Sequence, residues 1–181
     1  EVARGAGSDF ATTSDRCADM TFAFFLSHTW VPDDLGRDTH QRAIELSDAL
    51  RRNGMSTWID ADCMGADVDA SMADGIERSS SVILLLTRAY VERVHRGAVC
   101  GSENCHKEFV YAHSLSKPCI PIVFEPSMRS VKTWPCGVVR LYLASRRYID
   151  GAKCTAEELV EGIRTYNRQL QPPKRVRTMI L

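Results

Sequence analysis

The 181-residue chain reads as an α/β fold, a doubly wound parallel sheet of five strands in the order 2-1-3-4-5. Three observations predict it. Val82-Ile83-Leu84-Leu85-Leu86 is an unbroken apolar run closed by Thr87, the pattern of a parallel strand covered on both faces. The next such run, Cys119 to Phe124, follows after about thirty residues, room for the helical crossover that a parallel pair requires. Short apolar runs alternate with helical periods along the rest of the sequence.

Taken in order, residues 1–20 are small and polar, with Gly5, Gly7, Ser8, Thr12, Thr13 and Ser14, and are expected to form a mobile N-terminal segment. The chain opens on Glu1, so a domain of a longer protein is expected. Thr21 to Leu26 is apolar and too short for a helix; it predicts a buried first strand, followed by a loop through Ser27-His28-Thr29-Trp30-Val31-Pro32. Asp38 or Thr39 can cap a helix whose apolar face is Ala43, Leu46, Ala49 and Leu50, and Asn53-Gly54 supplies a left-handed stop. Met55 to Asp60 reads as the second strand and Ala61 to Asp67, with Gly65, as an exposed loop. A short helix follows, with Val68, Met72 and Ile76 in line and Gly75 as a weak point.

After the third strand, Gly97 and Gly101 mark a break in the crossover helix. Pro121 removes one ladder donor and counts modestly against a central placement of the fourth strand. Val138 to Leu143 can be a strand or a short helix; the helix is favoured, because Trp134-Pro135-Cys136-Gly137 reads as a helix start, and Arg147 to Asp150 then becomes the fifth strand. Thr155 and Glu158 form a capping box for a last helix carrying Leu159, Ile163, Tyr166 and Leu170, ended by Pro172-Pro173. The order 2-1-3-4-5 is that of the flavodoxin-like sheets. Residues 172–181, with Lys174, Arg175 and Arg177, read as a solvated basic tail.

Composition narrows the partners. With 44% hydrophobic residues the chain can bury one full core, and 23 basic against 23 acidic residues leave no field for duplex nucleic acid. No run reaches membrane-spanning length, and the first twenty residues lack a signal-peptide stretch. Seven cysteines, Cys17, Cys63, Cys100, Cys105, Cys119, Cys136 and Cys154, are odd in number and scattered, which predicts reduced thiols and a cytoplasmic setting.

In such a sheet ligands bind beyond the carboxyl ends of the strands, where the winding reverses. That places Ser27 to Trp30 beside Leu86 to Arg88. Glu108, in Ser102-Glu103-Asn104-Cys105-His106-Lys107-Glu108-Phe109, lies roughly 6 to 9 Å along a helix capped at Ser102 or Asn104, at the border of this crevice. The apolar line Cys105, Phe109 and Ala112 leaves Glu108 on the flank, half sheltered. By helix electrostatics alone it is an ordinary dipole-favoured carboxylate. His95, Cys100, Cys105, His106 and His113 lack zinc-ligand spacing, so no metal is expected, and Cys105 and His106 point about 100° apart, which rules out a Cys-His nucleophile. No glycine loop follows the first strand and no aspartate ends the third, against flavin or receiver chemistry.

Several segments together resemble the TIR (Toll/interleukin receptor) domains over about residues 22–170. Phe24-Phe25-Leu26-Ser27-His28 is similar to the family's first strand, Gly36-Arg37-Asp38-Thr39 to the start of its first helix, and Thr57-Trp58-Ile59-Asp60 with Gly65 to its second strand and BB loop. Ile76-Glu77-Arg78-Ser79-Ser80-Ser81 through Leu86, and Lys117-Pro118-Cys119-Ile120-Pro121-Ile122-Val123, resemble its second helix with third strand and its fourth strand, where proline is frequent. The resemblance implies a TIR domain over 21–171.

Some TIR domains are signalling adaptors; others cleave the nicotinamide–ribose bond of NAD+ through a glutamate that matches Glu108, and His106-Lys107-Glu108 resembles the run in the animal axon-degeneration branch. The implied activity is that of a cytoplasmic NAD+ glycohydrolase or cyclase, in signal transduction, innate immunity and cell death, with NAD+ as substrate and no cofactor. Glu108 would be catalytic, with Ser27, His28, Trp30 and Asp60 as nucleotide contacts. The BB loop, residues 61–67, of a neighbouring copy would complete the site, so that homotypic self-association activates it. Asn104 stands where the enzymes often carry a tryptophan, and Trp30 is the candidate for that ring's role. The alternative is a non-catalytic module signalling through TIR–TIR contacts. Neither nucleic acid nor membrane is an expected partner.

Overall fold

The computed structural model describes residues 20–170; the expected tail and all but the last residue of the expected N-terminal segment lie outside the described residues. The elements are β1 (Phe22–Ser27), α1 (Thr39–Arg52), β2 (Thr57–Trp58), α2 (Asp60–Cys63), α3 (Val68–Glu77), β3 (Ser79–Leu86), α4 (Arg88–Cys100), α5 (Asn104–Ser114), β4 (Cys119–Val123), α6 (Val138–Leu143), β5 (Ile149–Asp150) and α7 (Ala156–Leu170), with two 3₁₀ turns between β4 and α6. The strands are parallel in the order β2-β1-β3-β4-β5.

Side chains alternate across β3. Val82, Leu84 and Leu86 pack with Phe109, Tyr90, Ile76 and Trp134 on one face, while Ile83 and Leu85 pack with Leu46, Leu50, Leu159 and Ile163 on the other. Both faces are therefore dry, as the unbroken apolar run requires. Helix α1 starts where Asp38 accepts from Gln41 N at 2.9 Å and stops before Gly54 at φ +76°; α7 starts on the reciprocal Thr155 and Glu158 pair.

Pro121 is accommodated inside the sheet: β4 lies between β3 and β5, as the expected order requires, and β5 pairs only with Ile122 and Val123, so the proline sits where β4 has no partner on that side. Three expectations are corrected. The second strand keeps two residues of the expected six, because Asp60 turns the chain into α2 within the expected loop. The crossover breaks at Gly101, at φ +70°, whereas Gly97 lies inside α4. Cys63 is disulfide-bonded, against the expectation of reduced thiols throughout; spacing alone does not show which sulfurs meet. Cys100, Cys105, Cys119, Cys136 and Cys154 are free thiols. No helix among the described residues is long and apolar enough to cross a membrane.

A buried ionic clamp fixes the loop after β1. The Asp33 carboxylate accepts from Leu35 N, Arg37 N, Arg37 Nε at 2.7 Å and Arg42 Nη1 at 3.2 Å. Both guanidinium groups also donate to Phe124 O, at 2.8 and 3.0 Å, at the end of β4. Buried Glu125 ties the same rim together by accepting from Asp34 N and Arg88 N. Every partner is charged or hydrogen-bonded, which is what makes two buried carboxylates tolerable.

Helix α5 is seated on α4 through Gly97. A Cβ there would fall 2.2 Å from His106 Cβ, and His106 Nδ1 donates to Val94 O at 2.8 Å. Gly97→Ala is expected to cost about 2 kcal/mol net, overpacking of about 3 set against a helix-propensity gain of about 1. Denaturant unfolding checks it, and an unchanged or higher midpoint would contradict this packing.

Candidate active site

Glu108 is the fifth residue of α5, whose start at Glu103 has no side-chain cap. The helix passes the carboxyl end of β1, and Glu108 is more enclosed than its flank position suggested, only 9% exposed. Its Oε2 accepts from Ser27 Oγ at 2.5 Å, and Tyr90 Oη lies 2.7 Å from the same Ser27 oxygen. A serine hydroxyl has one proton, and Ser27 gives it to Glu108; Tyr90 therefore donates to Ser27. The result is a relay from α4 through β1 to α5.

Burial dominates the electrostatics. Desolvation raises the Glu108 carboxyl to about 8, opposed by the Ser27 hydrogen bond and reinforced by the charge of Asp60. Burial also lifts Tyr90 well above the usual phenol range, so it remains a protonated donor, and holds the Cys105 thiol neutral; Cys105 Sγ donates to His28 O at 3.4 Å. A carboxyl so placed is neutral in resting protein at neutral pH and ready to ionise when positive charge develops beside it.

Glu108 lines a cleft of about 220 Å³ with His28, Trp30, Asp60, Met64 and Asn104. A larger hollow of about 380 Å³, between α3 and α5, also reaches Glu108. It is lined chiefly by Met72, Ile76, Val110 and Tyr111, and Lys107 beside it is paired with Asp69 at 2.8 Å. The smaller cleft is the candidate site, because it alone gathers polar groups at the carboxyl ends of β1 and β2.

Of the expected nucleotide contacts, His28, Trp30 and Asp60 line this cleft, and Ser27 does not. Ser27 is fully enclosed, and its hydroxyl is committed to Glu108. Trp30 is 66% exposed; its indole N–H donates to Asp60 Oδ2 at 2.7 Å, and its ring stacks on His40 at 4.0 Å. His28 Nε2 lies 2.7 Å from His40 Nδ1, and burial lowers the His28 pKa against the pull of Asp60. Asn104 stands at the cleft beside Glu103, whose carboxylate is neutralised by Arg93 at 2.8 Å and Arg96 at 3.3 Å. His106 fastens α5 to α4 instead of facing the cleft.

Sequence reasoning missed His40 and Tyr90. His40 is a polar residue in the first turn of α1, and its partners lie 10 and more positions away in the chain. Tyr90 does show a signal: Tyr90, Val91 and Val94 are spaced as the buried face of α4, and a buried tyrosine hydroxyl needs a partner.

No curated protein matches the chain. Among solved structures, the TIR domain of the Toll-related receptor TRR-2 from Hydra magnipapillata is similar, with a TM-score of 0.53 and 20% identity over 82% of this chain and 98% of that one. The TIR domains of the activated Roq1 resistosome directly recognizing the pathogen effector XopQ match with a TM-score of 0.45 and 18% identity, over 64% of this chain and 65% of that one. The family model for the TIR domain matches residues 24–164, more than half of the chain. With that match and the parallel strand order β2-β1-β3-β4-β5, the chain belongs to the TIR domain family.

Proposed function

We propose that this TIR domain cleaves NAD+ at the nicotinamide–ribose bond, with Glu108 as its catalytic residue. The observation that carries this reading is a buried carboxyl, tuned upward by desolvation and held by Ser27 in the wall of a polar cleft on the ligand side of the sheet. An ordinary glycosidase needs a second carboxyl group to protonate its leaving group. Nicotinamide leaves a pyridinium as a neutral molecule: the C1′–N bond breaks with both electrons going to the ring nitrogen, and the positive charge passes to the ribose. One carboxylate beside that oxocarbenium-like centre suffices, by its charge and by accepting from ribose hydroxyls. Water then adds at C1′ and loses a proton to give ADP-ribose, or an adenine nitrogen adds to give a cyclic product.

His28, Trp30 and Asp60 are the nucleotide contacts in this reading, and Ser27 is a positioning residue. A cleft of about 220 Å³ is small beside the roughly 300–1,000 Å³ of ordinary ligand sites, so the rest of the dinucleotide needs another wall. The α2–α3 segment of a second copy, residues 61–67, is the proposed wall, which makes self-association a condition of turnover. The second reading, a signalling module without turnover, is favoured by Asn104 at the position where NAD+-cleaving relatives often carry tryptophan.

Purified protein at high concentration is expected to release nicotinamide from NAD+, and Glu108→Ala to lose at least about 10²–10³-fold of that rate. Equal release by both proteins would overturn the assignment of Glu108, and no release by wild type at any concentration would favour the signalling module.

The ionised carboxylate is the productive form, so kcat/KM should rise with pH through a limb near 8 and level above it. Tyr90 and Cys105 around it are pushed further up, and His28 is pushed down. The limb therefore belongs to Glu108. A profile that is flat across this range, or falls, contradicts the reading.

A further inference from the structure

His28, His40 and Asp60 meet outside the Ser27–Glu108 pair, and they form the only three-residue group of ligand type among the described residues. They come from three elements: the end of β1, the first turn of α1 and the start of α2. His28 Nε2 and His40 Nδ1 are 2.7 Å apart, and Asp60 Oδ1 lies 3.8 and 3.9 Å from them. A point equidistant from three atoms at those separations is about 2.1 Å from each, the length of a zinc–nitrogen or zinc–oxygen bond. We propose that His28, His40 and Asp60 bind one zinc-class divalent cation at the mouth of the cleft, with water in the fourth position.

The surrounding contacts orient each ligand. His28 Nδ1 donates to Leu26 O at 3.4 Å, which leaves Nε2 with its lone pair toward the site. The Trp30 indole N–H holds Asp60 Oδ2 and turns Oδ1 to the imidazoles. His40 is stacked between Trp30 and His28, at centroid distances of 4.0 and 5.0 Å. Backbone carbonyl and indole partners of this kind are what fix tautomer and orientation at metal centres. Without an ion, the two histidines share one proton in the hydrogen bond between them; with one, that proton moves to His40 Nε2 and both facing nitrogens become ligands. Two imidazoles and one carboxylate select zinc, cobalt, nickel or copper over magnesium and calcium, which prefer all-oxygen sets. The cation shares His28 and Asp60 with the proposed nucleotide contacts, and its test reads metal binding alone, without NAD+.

The test titrates the full chain with Co2+, follows its visible absorption, displaces it with Zn2+, and measures stoichiometry by calorimetry. One ion per chain is expected. His40→Ala and Asp60→Asn should each weaken binding by at least about 10-fold, and Trp30→Phe, which keeps an aromatic ring beside His40 but loses the indole N–H, by less. Cys100→Ser and Cys136→Ser should leave it unchanged, because those exposed thiols lie outside the group. Circular dichroism identifies any variant that fails to fold; Trp30→Phe, at an exposed ring, keeps the test open in that case. Absence of saturable binding overturns the proposal, as does binding that survives His40→Ala and Asp60→Asn or disappears with the exposed thiols.

Discussion

The hydrogen bond from Ser27 to Glu108 joins the last residue of the interior strand β1 to the middle of α5, and the site is organised around it. It is possible only because both groups are carried there by dry packing. Ser27 ends an apolar strand flanked by β2 and β3, and α5 is drawn down by Cys105, Phe109 and Ala112 on one side and by the Gly97–His106 contact on the other. Tyr90 completes the arrangement by giving Ser27 the proton it needs in return. The rim clamps at Asp33 and Glu125 then hold the loop that presents His28 and Trp30 to the same cleft.

Such a carboxyl is not placed for stability. In the native protein Glu108 keeps its proton up to about 8, whereas the unfolded chain releases it near the ordinary 4.5. The native state therefore binds more protons across that window, and its stability from this group is complete below 4.5 and falls as the pH rises towards 8. At neutral pH the fold carries a penalty at Glu108 that the surrounding apolar contacts offset. A costly carboxyl of this sort is the basis on which Glu108 is proposed as the catalytic residue.

Much of this was legible in the sequence, for identifiable reasons. The run Val82 to Leu86 announced a strand with two dry faces because nothing in it could meet water, and Thr155 with Glu158 announced a helix start because both halves of the capping box are local. The strand order followed from alternation and size. What failed depended on long-range geometry. Gly97 looks like a helix break until His106 is seen lying against it, and how an interior β4 tolerates the missing donor of Pro121 is visible only once β5 is seen to be too short to reach it. The Ser27 hydroxyl could be placed near the crevice from topology, but its direction, inward to Glu108, is set by the registry of α5 on β1. His40 gave no signal at all, since its neighbours His28, Trp30 and Asp60 are brought to it only by the loop after β1 and by the early turn at Asp60.

The chemistry of this site depends on the state of one proton, that of Glu108. Side-chain carboxyl 13C NMR of glutamate-labelled protein, with the Glu108 signal assigned by its loss in Glu108→Gln, reads that proton directly as pH is varied. A midpoint near 8 is the result the buried Ser27–Glu108 arrangement predicts. A midpoint near the ordinary 4.5 would mean that the carboxyl is solvated, and would contradict the site as described.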